Sequence, residues 1–129
     1  MANPNIVSVA TILGGNAGWN LPASTTTTLL TVTAEYILKI NRIVCTNVDG
    51  TNAALLDLYV DGMGSGTTGV TTTGADATVY LAKTISVPAD ASLVVSDTPI
   101  YLMEGDILKG GTVSTGDLDL FISYETLID

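Results

Sequence analysis

The segment YILKINRIVCTNV, residues 36–48, decides the fold. It is rich in β-branched and other apolar residues, and both faces of the extended chain are largely apolar, which is typical of a strand buried inside a β protein. The polar pair Asn41 and Arg42 interrupts the apolar run. This interruption predicts a bend or a β-bulge that divides one long strand into two segments.

Downstream of this segment, residues 49–52 predict a turn, and residues 54–61 predict the second, half-buried strand of a hairpin. Strict alternation divides this strand into two faces. The predicted core face holds Leu56, Leu58 and Val60, and the opposite face holds Leu55, Asp57, Tyr59 and Asp61.

Other strand patterns lie on both sides of this centre, at 6–13, 24–33, 78–87, 92–95, 99–103, 107–109 and 117–126. The first of them is followed by residues 14–22, Gly-rich at Gly14–Gly18 and including Trp19, which predict a loop because the Gly-rich stretch offers no side-chain pattern to pack. Residues 24–33 are threonine-rich and predict an edge or interface strand. In the last strand, alternation assigns Leu118, Leu120, Ile122 and Tyr124 to the buried face.

No stretch of the sequence keeps apolar residues at the 3.6-residue spacing of a helix. The pattern therefore predicts an all-β protein with about eight strands. We expect an antiparallel β-sandwich, jelly-roll-like, forming a single domain over residues 1–129. We also expect an amino-terminal arm at residues 1–9 and a long Gly/Thr loop at residues 62–76. Met63 and Val70 are the only anchors in that loop.

The composition excludes several classes of protein. The 129 residues hold 13 carboxylates, four basic residues, one cysteine and no histidine, for a net charge of −9. Without imidazole there is no Ser-His-Asp or Cys-His catalysis, and one thiol cannot build a zinc cluster, so we expect no enzyme and no cofactor. The four basic residues are scattered along the sequence, so we expect no positively charged surface that could bind nucleic acid. No apolar run approaches a membrane span, and the start lacks a secretion signal, which predicts a protein kept in the cytoplasm until it joins an assembly.

Two further features concern charge and hydropathy. Alternation predicts a solvated outer face that holds Asp57, Asp61, Asp117 and Asp119. These carboxylates could in principle bind calcium, but they lack the spacing of an EF-hand, so we expect no metal. The chain is 47% hydrophobic with a mean hydropathy of +0.46, yet only 13% charged. This balance predicts apolar surface that is buried against other subunits, and therefore a homo-oligomer.

Three blocks of sequence resemble a family of small virion structural proteins of tailed phages, especially phages of cyanobacteria and marine bacteria. These blocks are residues 1–7, residues 40–51, and residues 80–95 with 100–108. The resemblance implies a non-enzymatic capsid decoration (cement) protein that binds the major capsid protein at the capsid surface, as a trimer. A neck or tail component is the alternative within this class. A carbohydrate-binding host-recognition module, using Trp19 with Tyr59, Tyr101 or Asp side chains, is an alternative of a different class.

The candidate contact residues lie in three segments. They are Pro4, Ile6 and Val7 in the arm, Trp19 and Leu21 in the Gly-rich region, and Met63 and Val70 in the long loop. For Trp19 we consider an intramolecular lid, a subunit contact and a ligand platform, because a single tryptophan buries a large area in any of these roles. Cys45 is expected to be an inert buried thiol.

Overall fold

The structure, a computed structural model, describes residues 11–64, 74–113 and 117–128. These residues form nine strands. In chain order they are β1 (Thr11–Asn20), β2 (Thr28–Thr31), β3 (Tyr36–Asn47), β4 (Ala54–Asp61), β5 (Val79–Val87), β6 (Ser92–Ser96), β7 (Ile100–Leu102), β8 (Ile107–Thr112) and β9 (Leu118–Ile128). The described part of the chain contains no helix, and so none that is long and apolar enough to cross a membrane.

The strands form two antiparallel sheets, so the predicted β-sandwich is confirmed. Sheet A has the order β1-β9-β3-β6, with β7 also paired to β3, and sheet B has the order β2-β8-β4-β5. The predicted edge position of the threonine-rich segment is confirmed, although its strand is only four residues long. The predicted hairpin between β3 and β4 is wrong, because these two strands belong to different sheets. Each is an interior strand of its sheet, and residues 48–53 carry the chain across the core.

A buried amide holds this crossing in place. The side chain of Asn47, at the end of β3, donates hydrogen bonds from Nδ2 to the carbonyl oxygens of Asn52 and Val87, both at 2.9 Å. Its Oδ1 accepts the Asp49 N–H at 2.9 Å. Asn47 is 1% exposed, and three hydrogen bonds offset the cost of burying its polar atoms.

The predicted interruption in β3 is a β-bulge at Asn41. Ile40 pairs with Tyr124 and Arg42 pairs with Ser123, so β3 has one extra residue relative to β9. The extra residue reverses which side chains face inward, and therefore Ile40 and Ile43 are both fully buried. This reversal explains why both faces of the segment read as apolar.

The core lies between the two sheets. Its fully buried aliphatic side chains come from both sheets and from the β1–β2 connection. They are Leu21, Ile40, Ile43, Leu56, Leu58, Val87, Leu108, Leu118, Leu120 and Ile122. The predicted core faces of β4 and of the first half of β9 are confirmed by this set.

The predicted loop at Gly14–Gly18 is wrong, because these residues form the centre of β1. All ten residues of β1 pair with β9 without a register shift. The backbone ladder makes this strand, and glycine contributes no side-chain pattern from which it could be predicted. Gly15 packs closely, since an added Cβ would lie 2.9 Å from ring atoms of Tyr124, its partner on β9, and the ring would have to shift.

Candidate interaction surface

The outer face of sheet A carries an exposed apolar row, defined here as Phe121, Val44 and Val94. The three residues lie side by side on β9, β3 and β6, because Val44 pairs with both Phe121 and Val94. Phe121 is 48% exposed and Val94 is 43% exposed. On β1 the row continues at Gly18, which pairs with Phe121 and leaves one side of its ring uncovered.

A second row, of polar residues, lies directly beside the apolar row. Asn20 donates from Nδ2 to Oδ1 of Asp119 at 2.9 Å, across β1 and β9. Across β3 and β6, the hydroxyls of Thr46 and Ser92 are hydrogen-bonded at 2.9 Å. Part of both rows lines an open depression of about 500 Å³. An apolar centre with a polar margin is the usual composition of a protein–protein contact.

Charged residues lie on the other side of the apolar row. Lys39 Nζ is 4.0 Å from Glu125, and both side chains are partly exposed, so this ion pair contributes at most about 1 kcal/mol. Arg42, exposed on the same face, forms no ion pair with any acid of the described residues. Its guanidinium is therefore available to an acidic group outside the described part of the chain.

Trp19 lies in β1 rather than in a loop. It is half-buried, pairs with Leu120 and packs against the core, as an intramolecular lid does. It also lines a second cleft, of about 360 Å³, which opens between the edge strands β1 and β2. Aliphatic and aromatic side chains dominate this cleft, among them Leu29, Leu30, Tyr36 and Tyr124.

The other predicted contact residues are separated from this surface. Leu21 is fully buried in the core, where its N–H donates to Leu118 O at 2.7 Å, so its side chain is not at the surface. Met63 is half-buried against the core, and its N–H donates to Ala77 O. The remaining candidates lie outside the described residues, as do residues 65–73 of the long loop; these candidates are Pro4, Ile6, Val7 and Val70.

Asp57, predicted on a solvated face, is 4% exposed. Its Oδ1 accepts the N–H of Thr84 at 2.6 Å, and its Oδ2 is 3.4 Å from Lys83 Nζ. Thr84 has a φ of 52°, and the pairing of β5 with β4 shifts at this point, so the carboxylate stabilises a bulge in an edge strand. The solvated-face interpretation of Asp57 is wrong, because the carboxylate has its partners within the chain.

Asp61 also has a partner within the chain. Lys109 Nζ donates to it at 2.8 Å and Thr78 Oγ donates at 2.6 Å. Mainly through the Lys109 hydrogen bond, the pKa of Asp61 falls to about 2, and the pKa of Lys109 is raised by the same contact. Of the four predicted solvated acids, Asp119 is exposed and Asp117 is half-buried.

The aromatic residues named for carbohydrate binding do not form one platform. Tyr59 is 7% exposed and stacks with Tyr80 on sheet B, with ring centroids 4.8 Å apart. Lys83 Nζ covers the Tyr80 ring at 4.5 Å. Tyr101 lies on β7 of sheet A and Trp19 faces the interior, so the three predicted residues lie on different surfaces.

The possible metal ligands and the thiol give no chemical centre. Among the described residues, no group of three Asp, Glu or Cys side chains is placed to hold a metal ion. Cys45 is fully buried, and burial, with the nearby charge of Asp119, raises its pKa to about 11. The thiol is therefore protonated at neutral pH, in agreement with its predicted inertness.

Comparison with protein-family models and with curated protein sequences finds no match to this chain.

Proposed function

We propose that this chain is a non-enzymatic structural protein of a phage particle: a capsid decoration protein that binds across subunits of the major capsid protein. The observation that supports this proposal is the exposed apolar row on sheet A. Phe121 leaves about half of its surface in water, next to Val44 and Val94. Contiguous apolar surface rimmed by polar residues is typical of protein–protein interaction sites.

The surroundings of the apolar row suit a broad protein partner. In this proposal the row contacts an apolar strip on the capsid subunit, and the Asn20–Asp119 and Thr46–Ser92 pairs lie at the margin. Arg42 contacts an acidic group of the same subunit. Because this face is an open sheet surface, it fits the joint between two neighbouring capsid subunits.

The proposed mechanism is mass action on the shell. A protein that binds the assembled lattice better than free subunits stabilises the lattice by the free energy of that binding. Many copies add their contributions, and a homo-oligomer, for which the resemblance implies a trimer, engages several subunits at once. The protein then resides on the capsid surface after assembly in the host cytoplasm, and it needs no cofactor, nucleic acid or membrane.

Co-sedimentation with assembled capsids and with unassembled capsid subunits tests the proposal. Phe121→Asp removes the largest side chain of the apolar row. Because burying such a side chain contributes about 2 kcal/mol, binding to capsids should weaken roughly 30-fold. Val113→Asp is the matched control, since Val113 is 44% exposed but follows β8 of sheet B.

The expected results are that wild type sediments with capsids and not with free subunits, that Phe121→Asp stays in solution, and that Val113→Asp still sediments. Circular dichroism confirms that both variants fold. Binding of Phe121→Asp equal to wild type would show that the apolar row is not the contact. Copy number separates decoration from a neck or tail role, because decoration scales with the number of capsid subunits and a neck ring has a small fixed count.

A further inference from the structure

The sandwich protects its edge strands unequally. An edge strand exposes unpaired backbone groups, and proteins block such edges with charges, bulges, proline or short strands. β5 carries Lys83 and two register shifts, and β2 has four residues and a register shift. On the far side of sheet A, β6 and β7 have only five and three residues.

β1 has none of these protections. Its ten residues, TILGGNAGWN, include no charge and no proline, and they pair with β9 without a bulge. No other strand among the described residues pairs with the opposite edge of β1. A regular, uncharged edge of this length is a template for another strand.

The side chains of β1 are also open to a partner. Ile12 is 61% exposed and Leu13 is 49% exposed. A Cβ added to Gly14 would meet nothing within 4 Å, and at Gly18 the nearest atom would lie at 3.6 Å. Glycine weakens a strand by about 0.5–1 kcal/mol relative to alanine, and no packing contact of the described chain requires it at these two positions. Another backbone approaching closely is a usual reason for glycine in a strand.

We propose that β1 pairs with β1 of a second copy of this chain, antiparallel about a two-fold axis. A second copy fits this edge because the two open glycines, Gly14 and Gly18, lie symmetrically about Asn16, so a two-fold axis there sets glycine opposite glycine. Two chains of net charge −9 repel each other, and the uncharged β1 is where this repulsion is smallest. An antiparallel pair of identical strands is also self-complementary, so every backbone group of one edge finds its counterpart on the other. Sheet A then continues through both copies.

The register follows from the faces of the strand. Opposed residues in an antiparallel pair lie on the same face, so the pairing is centred on a residue of β1. We place the centre at Asn16 because it lies midway between the open glycines, so Gly14 lies opposite Gly18 on the outer face and Leu13 lies opposite Trp19 on the inner face. The exposed Leu13 of each copy then covers the partner's tryptophan at the mouth of the cleft between β1 and β2.

This contact is distinct from the proposed capsid contact, since it uses the backbone edge of β1 rather than the side chains of Phe121, Val44 and Val94, and the two surfaces meet at Gly18. It joins copies in pairs. A trimer assembled through other surfaces would retain the β1 edge for a contact with another trimer, so the assembly in solution contains an even number of copies.

Disulfide trapping tests both the contact and its register. In the proposed register Asn16 lies opposite its own counterpart, with Cα atoms about 4.5–5.5 Å apart, which suits a disulfide. Asn16→Cys should therefore form covalent dimers under mild oxidation. Gly14→Cys is the matched control, because the two copies of residue 14 lie four residues apart along the strands, about 13 Å. The native Cys45 is buried and its pKa is raised to about 11, so it should not form disulfides in this experiment.

Light scattering of the purified chain gives a second measurement. Gly14→Lys with Gly18→Lys places lysines opposite lysines across the pair, where each has open space in the single chain. This variant should halve the mass of the wild-type assembly while its circular dichroism is unchanged. A wild type that is a monomer or a simple trimer, or equal cross-linking of Asn16→Cys and Gly14→Cys, would overturn the proposal. Neither experiment contains capsid, so each result is independent of the Phe121→Asp result.

Discussion

Replacing Asp57 with alanine should destabilise the fold by removing the acceptor that holds the β5 bulge. The carboxylate is 4% exposed and accepts the Thr84 N–H at 2.6 Å. Thr84 has a φ of 52°, a conformation that costs a residue with a Cβ about 1–2 kcal/mol, so the hydrogen bond has to offset strain. A hydrogen bond to a charged group contributes about 1.5–3 kcal/mol, and we expect a loss of about 2–3 kcal/mol.

The expected size of the effect is measurable by thermal or urea unfolding, followed by circular dichroism and by the fluorescence of Trp19. At about 2.1 cal/mol/K per residue, unfolding 129 residues has an entropy of about 0.27 kcal/mol/K, so Asp57→Ala should lower the melting midpoint by roughly 7–11 °C. Unfolding must be reversible for the urea data to give free energies.

Two variants separate the hydrogen bond from the ion pair. Asp57→Asn keeps an oxygen acceptor for the Thr84 N–H and should lose only about 1 kcal/mol. Lys83→Met removes the ion pair, whose lysine is 61% exposed, and should cost less than about 1 kcal/mol. If Lys83→Met destabilises as much as Asp57→Ala, or if Asp57→Ala stays within about 0.5 kcal/mol of wild type, the role assigned to the bulge is refuted.

Two further predictions concern neighbouring glycines and an exposed ion pair. Gly15→Ala should lower the melting midpoint by roughly 4 °C, because the new Cβ would crowd the Tyr124 ring at 2.9 Å. Gly14→Ala, where an added Cβ meets nothing within 4 Å, should be neutral or slightly stabilising. If Gly14→Ala destabilised the protein more than Gly15→Ala, the packing described for β1 would be contradicted. Asp61 has its pKa lowered from 3.8 to about 2 by Lys109, so the stability it contributes is complete above about pH 4 and is lost as the pH falls towards 2. The melting midpoint of Asp61→Asn should therefore be lower than that of wild type at pH 7, and the two midpoints should converge near pH 2. A difference that stays constant across this pH range would contradict the stabilising role of the Asp61–Lys109 ion pair.

The sequence predicted β3 and β9 well because their side chains carry the signal. Alternation in β9 identified the buried face that holds Leu120 and Ile122. In β3 the polar interruption at Asn41 marked the bulge, since a strand with two apolar faces and a polar pair is consistent with a reversal of its inward face. Where burial of side chains determines the strand, local pattern is sufficient.

The sequence could not predict features that depend on the backbone or on pairing between strands. β1 is a strand because β9 offers a complete ladder to it, and its glycines add no pattern. Asp57 falls on the outward face of β4 as alternation requires, yet it is buried because the bulge at Lys83 and Thr84 folds back over it. No local rule predicts that bulge. The apolar row also became visible only when the register aligned Phe121 with Val44.

The outer faces of sheets A and B differ in how their basic side chains are paired. On sheet B, Lys83 pairs with Asp57 and Lys109 pairs with Asp61, so this face satisfies its cations within the chain. On sheet A, Arg42 has no acidic partner among the described residues and lies beside the exposed apolar row. Sheet B also exposes apolar side chains, among them Val79 and Ile85 on β5, but among the described residues only sheet A places an apolar row beside a cation without an acidic partner. This difference is why the proposed capsid contact uses sheet A.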